Sequence, residues 1–167
     1  MRLFIHLLLI LVLTGCISTG KSYKVMPEEN YEPSTLTPVE AVRLVPFEVK
    51  IPTYFPFEVE YSRAQLYPPN PKEVVFSFWP RDPDQEVNLH ISEEELVINE
   101  GQTVKLSNGQ KASYSEEMSD VGFIQKISWH DEDGLFYQLD YRADDKIEIE
   151  ELLKIQSSLE IHTLHLH

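Results

Sequence analysis

The sequence has a single cysteine, six glycines and few basic residues, 14 lysines and arginines against 28 aspartates and glutamates. With Cys16 alone, no internal disulfide can brace the chain, so a folded domain must be held by its core. The formal charge of −14 argues against a nucleic-acid surface or a basic patch for anionic lipid, and favours solubility and basic or cationic partners. Long apolar runs are also missing. The stretch that ends at Leu13 is too short for the roughly 20 residues that cross a bilayer as a helix. No Gly-x-Ser-x-Gly elbow presents a serine nucleophile, and no His-Glu-x-x-His pair presents zinc.

What the amino end does contain is ordered. A positive start at Arg2, the apolar run Leu7 to Leu13 and the small residues Thr14 and Gly15 follow the plan of a secretory signal. Leu13-Thr14-Gly15-Cys16 matches a lipobox, in which cleavage precedes a cysteine carrying diacylglycerol. Residues 1–15 therefore read as a lipoprotein signal peptide, and Cys16 as the acylated first residue of the mature chain. Removing them from 167 leaves 152 residues, one domain's worth, and the loss of Arg2 takes the charge from −14 to −15. Residues 16–40, with Ser18, Gly20, Pro27, Pro33 and Pro38, read as a flexible stalk. The expected location is the outer face of the cytoplasmic membrane.

Residues 41–160 read as a single α+β domain, an antiparallel sheet of consecutive hairpins with a carboxyl-terminal helix packed on one face; 161–167 form a histidine-containing tail. Residues 40–44 suit a short helix or the entry to a strand. Phe47, Val49 and Ile51 alternate with charged residues, as do Phe57, Val59 and Tyr61, and each set predicts a strand. Pro52-Thr53-Tyr54-Phe55-Pro56 joins them as a rigid aromatic connection. Beyond Pro68-Pro69-Asn70-Pro71, Val74, Phe76 and Phe78 share one face while Val75 and Trp79 take the other; Val87, Leu89 and Ile91 make the next strand. Asn108-Gly109 predicts a type I′ hairpin turn between 104–106 and 112–114. Asp131-Glu132-Asp133-Gly134 predicts a second turn. After Tyr141 the period changes: Ile149, Leu152 and Leu153 predict a helix to about Ser158, capped by Asp144 or Asp145 with Glu148 three residues on.

Few side chains converge on chemistry. His162, His165 and His167 could contribute to a metal site if further ligands came from His90, His130 or a carboxylate, but they suit a loose terminal segment as well. The acidic run at 131–133 lacks the ligand spacing of an EF-hand and is what a turn requires. No cofactor motif is present. Among the aromatics, most are explained as core by their alternation, and Trp79, Tyr54 and Phe55 are the candidates for partner contact.

The segment Gly101-Gln102-Thr103-Val104-Lys105-Leu106-Ser107-Asn108-Gly109-Gln110-Lys111-Ala112-Ser113-Tyr114, with Ile127-Ser128-Trp129, Gly134-Leu135-Phe136-Tyr137-Gln138-Leu139 and the closing run from Ile149 to Leu159, resembles the domain of unknown function 4367 family. Pro52-Thr53-Tyr54-Phe55-Pro56 is similar to an earlier Pro-x-x-x-Pro element of that family, so the resemblance covers roughly 45–159. It departs at Gln156, where the family often has alanine, and in the histidine-rich tail. The resemblance implies a bacterial extracytoplasmic domain of lipoproteins and some anti-sigma regulators, with no catalytic residues to carry over.

The functional expectation is a noncatalytic binding or regulatory lipoprotein that meets a protein, peptide or envelope component. A lipid-binding or envelope-assembly carrier is the first alternative, and a metal-binding protein or enzyme the second. Cys16→Ala is expected to move the protein from the membrane to the soluble fraction of broken cells. Unchanged fractionation would contradict the lipid anchor.

Overall fold

The computed structural model describes residues 34–66, 72–81, 84–94, 101–120 and 122–161. The signal peptide, Cys16 and the first half of the stalk lie outside the described residues, as do the proline break at 68–71 and the histidines at 162, 165 and 167. The α+β expectation holds. Among the described residues, ten strands and two helices run, in chain order, β1 (Ser34–Leu36), α1 (Pro38–Leu44), β2 (Lys50–Pro52), β3 (Tyr61–Leu66), β4 (Glu73–Trp79), β5 (Gln85–Ser92), β6 (Gln102–Lys105), β7 (Lys111–Ser119), β8 (Gly122–His130), β9 (Phe136–Ala143), α2 (Ile149–Ser157) and β10 (Leu159–Ile161).

Eight strands form one antiparallel sheet in the order β1-β3-β4-β5-β9-β8-β7-β6, and β10 pairs with β2 in a second, two-stranded sheet. Two meanders meet at the β5–β9 seam, where Leu89 lies opposite Leu139 and Ile91 opposite Tyr137. The inward residues of the central strands leave almost nothing to water: Val74, Phe76, Val87, Leu89, Ile91, Ile127 and Leu139 are all 0% exposed. At roughly 1.5–3 kcal/mol for each fully buried large apolar side chain, this face is the main source of stability. It is covered by Ala41 of α1, Val49 ahead of β2, and Leu152 and Ile155 of α2, all members of the same core, with Ile51 of β2 packed against it half-buried.

Local chemistry explains the ends of the elements. Thr37 caps α1 in a reciprocal box, its hydroxyl accepting from the Glu40 N–H while the Glu40 carboxylate accepts from the Thr37 N–H at 2.9 Å; Pro38 occupies the first turn. This settles 40–44 as helix. Ser34–Leu36, inside the stretch expected to be stalk, pairs with β3.

The hairpin at Asn108-Gly109 forms, but its turn is not type I′. No non-glycine residue among those described has positive φ, whereas type I′ needs two such positions. Instead Leu106 N–H donates to the Gln110 carbonyl at 2.8 Å around a three-residue loop, with Gly109 at φ 87° and the Asn108 side chain accepting from the Gln110 N–H. Asp131 and Leu135 close a matching loop with Gly134 at φ 84°. A third hairpin, absent from the sequence reading, joins β7 to β8 at Gly122; its φ is 101°, and a Cβ there would meet the Ala143 carbonyl oxygen at 2.5 Å.

Two further expectations change. The alternation at 57–61 is not a strand; β3 begins only at Tyr61 and faces the core with Ala64 and Leu66. The helix begins at Ile149, and neither Asp144 nor Asp145 caps it; Glu148 is the N-cap residue and makes no side-chain cap bond. Gln125 supplies the reason. This side chain, 1% exposed, accepts from the Ile147 N–H at 2.9 Å and donates to the Ile147 carbonyl at 2.9 Å, which ties the backbone of residue 147 to β8 ahead of the helix. Gln125→Ala is expected to orphan both groups and cost about 2 kcal/mol in denaturant unfolding. A loss below about 0.5 kcal/mol, the range of ordinary surface changes, would contradict the clamp.

Candidate binding face of the sheet

The second face of the large sheet follows from the same two-residue alternation that makes the first apolar. In register, Arg63, Ser77, Asn88, Asp140, Lys126 and Ser115 form one row across six strands. The neighbouring row runs Thr35, Gln65, Val75, His90, Gln138, Ser128, Ser113 and Thr103 across all eight. Apart from Val75, both rows are polar.

These side chains are preorganised by one another. The Ser77 hydroxyl donates to Asn88 Oδ1 at 2.6 Å, and Gln138 Nε2 donates to the Asp140 carboxylate at 3.0 Å. The His90 ring and the Glu73 carboxylate meet at 2.6 Å. Arg142 reaches Asp140 at 3.9 Å and Glu86 at 4.0 Å, while Lys126 pairs with Glu117 at 2.9 Å. Between β3 and β9 the surface dips into a hollow of about 290 Å³ whose walls include Arg63, His90, Asp140 and Arg142. The Nε of Arg142 is buried there without a hydrogen-bond partner in the structure.

Burial and charge act in opposite senses on the two acids. Desolvation raises the Asp140 carboxyl above its ordinary range, against the attraction of Lys126 and Arg142. The hydrogen bond with His90 lowers that of Glu73. At one end of the face Trp79, half-buried, stacks on Tyr61 with ring centroids 6.0 Å apart and carries the Arg63 guanidinium 5.4 Å above its ring.

Of the three aromatic candidates, only Trp79 belongs to this face. Phe55 packs on Phe78 at 4.8 Å, on the core side of the same strand. Tyr54 is 37% exposed and bonds through its hydroxyl to Glu151 of α2. The structure thus separates Tyr54 and Phe55 from Trp79. Sequence reasoning missed Arg63, His90, Asp140 and Arg142 as neighbours because their juxtaposition depends on the β5–β9 pairing; the alternation of polar residues along each strand was the available signal.

The acidic turn is occupied by its own structure. Asp131 Oδ1 accepts from the Asp133 and Leu135 N–H groups, and Oδ2 pairs with Lys50 at 3.1 Å. Among the described residues no group of three or more His, Cys, Asp and Glu is placed to hold a metal ion, and no helix is long and apolar enough to cross a membrane. Comparisons with protein-family models, with curated proteins and with solved structures found no match.

The sign of the acid shifts gives a paired expectation. Asp140 binds its proton more tightly folded than unfolded, so its contribution to stability is present below pH 3.8 and is lost as pH rises through the raised folded value. Asp140→Asn should therefore gain on the wild type in unfolding free energy as pH rises from acid to neutral. Glu73 behaves oppositely: its contribution is present above pH 4.5 and is lost as pH falls through the lowered folded value, so the deficit of Glu73→Gln should shrink in acid. Denaturant midpoints across this range check both, and parallel pH profiles for variants and wild type would contradict the reading.

Proposed function

We propose that this chain is a noncatalytic binding or regulatory lipoprotein, held at the outer face of the cytoplasmic membrane through acylated Cys16 and meeting a protein or peptide through the polar face of its large sheet. The observation that carries the reading is the hollow on that face, lined by Arg63, Arg142, His90 and Asp140, with His90 and Asp140 held by hydrogen bonds to Glu73 and Gln138 and the buried Arg142 Nε left without a partner. Arginine with a flanking aromatic is the pairing that most often anchors protein contacts, and here Arg63 lies over Trp79. Both signs of charge occur in the hollow, which suits a polar, mixed-charge segment better than a purely basic or acidic one. The lipobox and the resemblance to the domain of unknown function 4367 family support an extracytoplasmic setting for this contact.

A carrier of lipid is the second reading, and one observation favours it. A mainly apolar cleft of about 480 Å³ opens between α1 and the small sheet, with Val39, Ile51, Phe78 and Ile161 among its walls.

The two readings separate in intact cells. Chemical crosslinking followed by affinity capture should yield a discrete adduct with the wild-type protein that is lost in the Arg63→Glu, Arg142→Ala double variant and kept in Val39→Asp. An adduct that survives the double variant would overturn the polar-face reading. Co-purified lipid that disappears in Val39→Asp would establish the carrier.

A further inference from the structure

A second hollow lies away from the polar face, where the turns of the β8–β9 and β6–β7 hairpins approach α2. Its volume is about 300 Å³, and its walls include Lys50, Asp131, Trp129, Tyr137, Gln156 and Ser157. Two of these side chains are anomalous. Tyr137 is 1% exposed and Gln156 8%, yet the Tyr137 hydroxyl and Gln156 Oε1 make no hydrogen bond. The Lys50 backbone N–H is near enough to Tyr137 to favour the ionised phenol, but burial and the Asp131 carboxylate outweigh it and raise the hydroxyl's pKa. The phenol therefore stays protonated and able to donate. Buried polar groups are nearly always paired, by protein, water or ligand, and two orphans on one cavity call for a common partner.

We infer that this cavity is a binding site for a neutral, hydroxyl-rich small molecule of about one sugar ring. The charged groups at its mouth are already spoken for: Lys50 and Asp131 lie 3.1 Å apart, and the second Asp131 oxygen takes two backbone N–H groups. A charged ligand would have to compete with that pair, and exposed Glu132 on the rim disfavours an anion further. Of the uncharged polar groups in its walls, the Tyr137 hydroxyl and the Gln156 amide oxygen are buried without a partner, one able to give and the other to take a hydrogen bond. A sugar hydroxyl does both at once. Trp129, stacked on Tyr137 at 5.3 Å, supplies an apolar wall of the kind a ring's C–H face needs. The size stands at the lower end of small-ligand sites, enough for one ring and short for an extended chain.

The test is a titration of the full-length protein in detergent with glucose and with N-acetylglucosamine, followed by the NMR signals of the Gln156 side-chain amide and the Trp129 indole N–H. Saturable shifts are expected with at least one sugar and with neither acetate nor methylammonium. Tyr137→Phe and Gln156→Met should each weaken binding about tenfold, the loss of one hydrogen bond. Their unfolding midpoints should stay near the wild type's, because the Tyr137 proton and Gln156 Oε1 are given to no protein group. The inference is overturned by a lack of saturable shifts up to decimolar sugar. It is equally overturned if Tyr137→Phe binds sugar as the wild type does, or if charged probes alone bind. Arg63→Glu, Arg142→Ala should bind sugar normally, so failure here and failure of the polar-face contact are read independently.

Discussion

An antiparallel sheet of eight strands without a disulfide stands or falls on covering one of its faces. Every other feature of this domain answers that requirement. The central strands present Val74, Phe76, Leu89, Ile127 and Leu139 at full burial, and the chain spends α1, the aromatic connection, the β2–β10 ribbon and α2 on the same side. The cover is itself bound by polar locks. Lys50 of β2 pairs with Asp131 in the β8–β9 loop, and the Ser158 carbonyl at the end of α2 accepts from the Thr53 N–H just beyond β2. Gln125 fastens the chain entering α2 to the sheet through the backbone of Ile147.

Committing the cover to one side decides what the other becomes. The same alternation that points Phe76 and Phe78 inward points Ser77 and Trp79 outward, and hairpin pairing aligns such positions from strand to strand. Polar rows are the result. They are not a loosely solvated surface, because Ser77, Asn88 and Asp140 are buried against one another and Asp140 pays the desolvation that this implies. An ionisable side chain buried in so costly a place is an ordinary mark of a functional surface.

Much of this was legible along the chain. The hairpin turns announced themselves through Asn108-Gly109 and Gly134, and the closing helix through Ile149, Leu152 and Leu153. The opposed faces of β4 were visible as Val75 and Trp79 against Val74, Phe76 and Phe78. What escaped depended on long-range pairing. β3 carries only Ala64 and Leu66 as buried residues, too weak a stripe to outweigh the stronger alternation just before it. The cap at Asp144 or Asp145 looked sound locally and was overridden by Gln125, which reaches Ile147 from 22 residues earlier in the chain. The site itself was hidden for the same reason: Arg63 and Arg142 share a hollow only because two meanders meet at β5 and β9.

The domain covers one face of its large sheet for stability and keeps polar rows on the other, the face proposed for contact. The most direct measurement places a photo-crosslinking amino acid at single positions in the anchored protein in living cells: at Arg63 or Gln65 on the polar face, and at Lys154 or Glu150 on the solvent side of α2. A discrete crosslinked partner is expected from the first pair and none from the second. Crosslinks confined to α2, or equal from both sides, would contradict it.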